Sequence, residues 1–174
     1  DSVIYYHKRS FRCAENIISK FPIDLKTIDL DSLGYNTLYM GWVYTFNPSE
    51  GITNALSSSS SFELISNETL RKLLISWSDI VADYQEEELR AYYNYNNDLK
   101  PFEKKHMKYG NDYKQWYNDP RLDLSFLETV EYENYVTDRY LDLDGIINNA
   151  AGELDLVIKT IDQIIELSNP NSDD

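Results

Sequence analysis

Two acidic side chains are the first candidates for chemistry, because each interrupts an apolar helical stripe. Glu88 shares a face with Tyr84, Ala91 and Tyr95, and Asp144 falls on a face with Val130, Tyr140, Leu141 and Ile147. A carboxylate so placed needs a cation or a hydroxyl as partner, since burying an unpaired charge is prohibitive. If the two helices run antiparallel, Glu88 lies within a turn or two of the level of Asp144. The basic run His7-Lys8-Arg9, with Arg12, can then neutralise both from the first helix. Such a layer is either a structural ion pair or a functional site. Glu86 and Glu87 do not join it, because consecutive helical residues point about 100° apart.

Other constellations are weaker. Asp29-Leu-Asp31-Ser-Leu-Gly34 begins like a calcium loop, but Leu33 stands at its fifth position and Met40 at its twelfth, where a bidentate Glu belongs. Asp142-Leu-Asp144-Gly145 is shorter still. His7 and His106 lack partners at metal-ligand spacing. The single Cys13 excludes an intrachain disulfide and a multi-cysteine metal site, although Arg12 beside it is expected to lower its pKa. Neither a Gly-x-Ser-x-Gly turn nor a glycine-rich phosphate loop occurs. These residues therefore predict no catalytic, cofactor or metal site, and a domain that is not an enzyme.

The aromatics are the remaining signal. Tyr35, Tyr39, Trp42, Tyr44 and Phe46 form one cluster, and Tyr109, Tyr113, Trp116 and Tyr117 another, among fifteen tyrosines in all. Large, rigid rings with one hydrogen-bonding end suit contact surfaces, and equally suit covering the ends of a helical core. The candidate contacts for a protein partner or small ligand, a sugar or peptide included, are therefore Tyr35, Tyr39, Trp42, Tyr113, Trp116 and Tyr117, with Glu88 and Asp144 inside.

The elements that must hold these groups follow from periodicity. Ile4, Phe11, Ala14, Ile18 and Phe21 predict a first helix over 3–21, closed by Pro22. Residues 24–65 read as a flanking excursion with short helices at 33–46 and 49–57. Ser66 is expected to cap a long helix over 67–108, with Ile65 and Leu70 as its hydrophobic staple and Phe62, Leu64 and Ile65 pinning the serine corner 57–61 to the core. Its apolar face runs through Leu70, Leu74, Trp77, Val81, Tyr84, Ala91, Tyr95, Leu99 and Phe102, and Pro101 should kink it or split off its last turns. A final helix over 127–167 carries Val130, Thr137, Tyr140, Leu141, Asp144, Ile147, Ala151, Leu154, Ile158, Ile161 and Ile165, with bends expected at Gly145 and Gly152. No strand pattern appears. The expectation is an all-α, elongated antiparallel bundle of three long helices over 1–168, followed by a disordered tail over 169–174.

Composition bounds the rest. A chain of 174 residues with 42% hydrophobic content supports one folded core despite a net charge of −14. That charge argues against nucleic acid and against lying flat on anionic lipid. No apolar run approaches the 18 or so residues that span a bilayer. The chain opens at Asp1 without a methionine or a leader-like segment, which suggests an excised domain.

The run Tyr44-Thr-Phe-Asn-Pro-Ser-Glu-Gly-Ile-Thr-Asn-Ala-Leu56, then Phe62-Glu-Leu-Ile-Ser-Asn-Glu-Thr-Leu-Arg-Lys-Leu-Leu74, Trp77, the stretch Val81–Glu88 and Phe126–Asn134 together resemble an uncharacterised bacterial family of single-span membrane proteins. In place of that family's usual serine–glycine–lysine corner this chain has Ser57–Ser61. The resemblance implies a short basic segment and one transmembrane helix upstream of Asp1, and an extracytoplasmic helical domain at the cell membrane. It implies no activity. The function expected is a non-catalytic sensor-like or protein-interaction module, with a second copy of the chain among its candidate partners. The alternative is a cytoplasmic helical enzyme or regulator that uses the acidic layer around Glu88 and Asp144.

Overall fold

The computed structural model describes residues 2–49, 51–58, 61–148 and 152–169, with backbone alone at 52, 57 and 58. Ser59 and Ser60 of the serine corner, Ala151 and the tail beyond Asn169 lie outside the described residues. Among those described, all regular structure is helical: α1 Ser2–Ile18, α2 Leu30–Met40, α3 Gly51–Ser58, α4 Glu68–Asn94, α5 Lys100–His106, α6 Val130–Asn148 and α7 Glu153–Leu167. The all-α expectation holds. Of the long helices, the one expected over 67–108 is broken at Tyr95–Leu99, a π-helical segment, and α6 and α7 are separate helices.

The first break has a local cause. Pro101 cannot donate to the carbonyl four residues back, and its ring crowds that turn. The chain widens just before it, Lys100 N reaching back five residues to Tyr95 O, and α5 restarts with Pro101 in its first turn. At α7, Gly152 adopts φ 72° and caps the helix, a backbone state that glycine takes without strain.

Short polar side chains set the other helix starts. Asp29 Oδ1 accepts from Asp31 N and Ser32 N at 3.0 and 3.2 Å and opens α2, so the calcium-like stretch is a helix cap. Asn67, not Ser66, caps α4, its Oδ1 accepting from Leu70 N at 3.0 Å. This moves the cap by one residue and removes the expected staple; Leu64 is 84% exposed and pins nothing. The expected helix over 33–46 begins at Leu30 and ends at Met40, with Gly41 as its C-cap.

The chain forms two compact units, Asp1–Tyr44 with Glu87–Ile147, and Thr45–Glu86 with Asn148–Asp174. In the first, α1 packs on α2, and α2 on the short turn Tyr113–Gln115. Gly34 permits this, because a Cβ there would run into the carbonyl oxygen of Tyr113. The core gathers Ala14, Ile17, Leu33, Met40, Leu99, Tyr117, Phe126, Leu127, Tyr132 and Val136 among others. In the second unit Trp77, Val81 and Tyr84 are buried, and the ring of Phe46 meets those of Trp77 and Tyr84 edge-on at 6.4 and 6.0 Å.

Candidate functional site

Polar groups occupy core positions throughout the first unit. On α1 the inward stripe is His7, Ser10, Ala14 and Ile17, and on α6 it is Tyr132, Val136, Arg139, Leu143 and Ile146. The face expected for α6 is therefore wrong by about one residue: Val130 is 70% exposed and Leu141 is also outside. Arg139 inside and Leu141 outside defeat an apolar-periodicity reading.

Glu88 is fully buried and meets His7, with Nε2 and Oε1 2.8 Å apart. The basic partner expected from the first helix is thus His7 itself. The acid that α6 buries is Asp142, whereas Asp144 is half-buried. Helical residues two positions apart point about 200° apart, so a face that takes in Asp142 turns Asp144 away from the core. Cys13 is buried, and burial raises its thiol pKa, against the lowering expected from Arg12.

Arg139 was not singled out by its sequence context, yet it organises this unit. Its Nε donates to Met40 O, Nη1 to Ala91 O and Nη2 to Trp42 O, each at 3.1 Å. One side chain thereby ties α6 to the end of α2, the segment after it, and α4. Burial lowers its pKa to about 10, which leaves it cationic at neutral pH. Beside it, Glu103 is entirely buried, and burial raises its acid to about 8, with the Tyr95 hydroxyl donating to it at 3.4 Å. Tyr95, Tyr117 and Tyr132 are held well above the usual phenol range by the same burial.

The aromatics divide. Trp116 and Tyr117, expected as contacts, are core residues: Trp116 donates to Gly110 O at 2.8 Å, and the Tyr117 hydroxyl bonds Thr37 Oγ1 at 2.9 Å. The others line up at the surface. Ring neighbours run Tyr5–Tyr6 (5.4 Å), Tyr6–Tyr44 (4.4 Å), Tyr44–Trp42 (6.0 Å), Trp42–Tyr39 (5.4 Å), Tyr39–Tyr35 (4.7 Å) and Tyr35–Tyr113 (5.7 Å). Tyr5, Tyr35 and Trp42 are exposed and the rest half-buried. The Arg9 guanidinium lies 3.4 Å from the Tyr39 ring centroid and donates to the Tyr35 hydroxyl at 3.1 Å. The arrangement is a continuous aromatic strip with a cation at its middle, made from α1, α2, the segment 42–44 and the turn at Tyr113. Tyr5, Tyr6 and Arg9 belong to it without having been expected there; their spacing on α1 was too polar to read as a contact face.

The described residues include no helix long and apolar enough to cross a membrane. No family model matches the chain, and neither a curated protein nor a solved structure is significantly similar to it.

Proposed function

We propose that this chain is a non-catalytic interaction module, the extracytoplasmic helical domain of a membrane-anchored bacterial protein, and that the aromatic strip is its contact face. The strip is the observation that carries the reading. Tyrosine and tryptophan give large contact area at small entropic cost, and arginine adds charge and a planar stacking surface. Charge selects the occupant. In a chain of net charge −14, α1 carries Lys8, Arg9 and Arg12 against Glu15 alone, a local excess of cations. The partner fitted to it is a protein segment that presents acidic and aromatic side chains. The membrane placement rests on the family resemblance.

Two measurements test this. In cells that make the full-length protein, the domain should fractionate with membranes and be open to protease from outside the cytoplasm; recovery in the soluble cytoplasm overturns the placement. A photo-crosslinking residue at Trp42 or Tyr35 should trap a defined adduct that Arg9→Glu abolishes, whereas the same residue at Ile75 should not. Equal adducts at all three positions, or an adduct only with a second copy of the chain, overturn the proposed partner.

A further inference from the structure

α1, α2 and the connector between them enclose a groove of about 620 Å³, within the range of about 300–1,000 Å³ usual for small-molecule sites. Its floor is apolar: Ile17 and Leu33 are buried core residues and Ile28 is half-buried. Its walls are polar and mostly uncharged, carrying Asn16, Ser19, Thr27, Ser32 and Asn36. Lys20 and Asp29 add one charge of each sign, so the groove is neutral in a chain of net charge −14.

The hydrogen bonds made within these walls decide what is left for a ligand. Asn36 is only 8% exposed; its Nδ2 donates to Ser32 O at 2.8 Å, and its Oδ1 accepts from Asn16 Nδ2 at 3.2 Å. That bond joins α1 to α2 and leaves Asn16 Oδ1 without a partner among the described residues. The Ser19 hydroxyl donates its proton to Asn16 O at 2.8 Å, and the Thr27 hydroxyl donates to Asp24 O at 3.3 Å. Both hydroxyl oxygens therefore keep only lone pairs to offer. Asp29 Oδ1 is taken by the start of α2, which leaves Oδ2. Asn16, Ser19, Thr27 and Asp29 are all exposed, so a floor of aliphatic carbon is ringed by acceptors in need of donors.

We propose that this groove binds a neutral polyhydroxyl compound, a sugar or cyclic polyol. Its hydroxyl protons are donated to the acceptors of Asn16, Ser19, Thr27 and Asp29, a hydroxyl oxygen accepts from Lys20 Nζ, and its C–H face lies on Ile17, Ile28 and Leu33. The chemistry discriminates among ligands. Hydroxyls both donate and accept, as this lining requires. An anion meets Asp29 and a ring of lone pairs, an organic cation meets Lys20, and an apolar ring leaves the acceptors bare. The groove shares no residue with the aromatic strip and does not depend on it.

The test is calorimetric or NMR titration of the whole chain with glucose, galactose, mannose, N-acetylglucosamine and myo-inositol. Cyclohexanol, cyclohexylammonium and gluconate are the controls. At least one of the five neutral polyols should bind saturably at one site, at least about tenfold more tightly than any control. Asn16→Ala and Ser19→Ala each remove one acceptor from an exposed position, and each should weaken that polyol by about threefold to tenfold, the range of one hydrogen bond. No saturable binding of any of the five, a control that binds as tightly as the best of them, or unchanged binding in both variants overturns the proposal.

Discussion

At the scale of single residues, the first unit keeps its charged groups inside by giving each a defined partner or a neutral state. Arg139 bonds three carbonyls, and Glu88 meets His7. Glu103 takes the other course: the Tyr95 hydroxyl donates to one of its oxygens, the other has no partner among the described residues, and burial holds it as the neutral acid up to about pH 8. The consequence for stability has a definite sign. Between the ordinary 4.5 and about 8 the folded chain retains a proton that the unfolded chain releases, so stability falls as pH rises through this window and levels off above it. The slope can reach about 1.4 kcal/mol per pH unit. Burial shifts Asp142 in the same direction. Melting temperatures measured at constant ionic strength should fall from pH 5 to pH 8, and Glu103→Gln should remove most of that fall. An unchanged slope in the glutamine variant would show that the side chain ionises freely in the fold.

At the scale of elements, short acidic and amide side chains are spent on starting helices. Asp29, Asn67, Asp112 and Asp123 each accept from a backbone N–H at a helix or turn start, and Thr129 does so for α6. Three of these caps are aspartates, so part of the chain's negative charge has a local structural use. Glycine has a different use in α2. Replacing an exposed helical glycine by alanine normally stabilises by about 1 kcal/mol. Gly34→Ala should instead destabilise by about 1–3 kcal/mol, because the methyl group meets the backbone of the Tyr113 turn and neither side can yield cheaply. Gly51→Ala, where nothing lies nearer than 4.0 Å, is the control and should not destabilise. Urea melts of both variants compare the two sites, and a stabilised Gly34→Ala would show that α2 and the turn are not in close contact.

At the scale of the whole molecule, a net charge of −14 opposes folding through self-repulsion. The surface ion pairs of Lys72 with Glu68 and of Arg121 with Asp119 are exposed on their basic side and offset little of it. Raising salt from about 0.01 M to about 0.15 M shortens the screening length from about 30 Å to about 8 Å. The melting temperature should rise by a few degrees over that range, as scanning calorimetry can measure. A fall would mean that specific ion pairs outweigh the general repulsion.

What the sequence determined by itself is the all-helical class, the inward stripe Trp77, Val81, Tyr84, Glu88, Ala91, Tyr95 and Leu99, and a break near Pro101. These are consequences of periodicity and of proline's missing N–H, both written in neighbouring residues. The tertiary structure alone decided that Arg139, Ser10 and His7 are core, that Trp116 and Tyr117 are buried, and that Asp142 and not Asp144 is the acid buried on α6. Those outcomes depend on carbonyls and side chains up to about a hundred positions away, as when Arg139 reaches Met40 O. A polar residue becomes a core residue only when such a distant partner satisfies it. The strip from Tyr5 to Tyr113 is of the same kind: its rings come from segments separated in sequence, and their alignment exists only once α1 lies against α2.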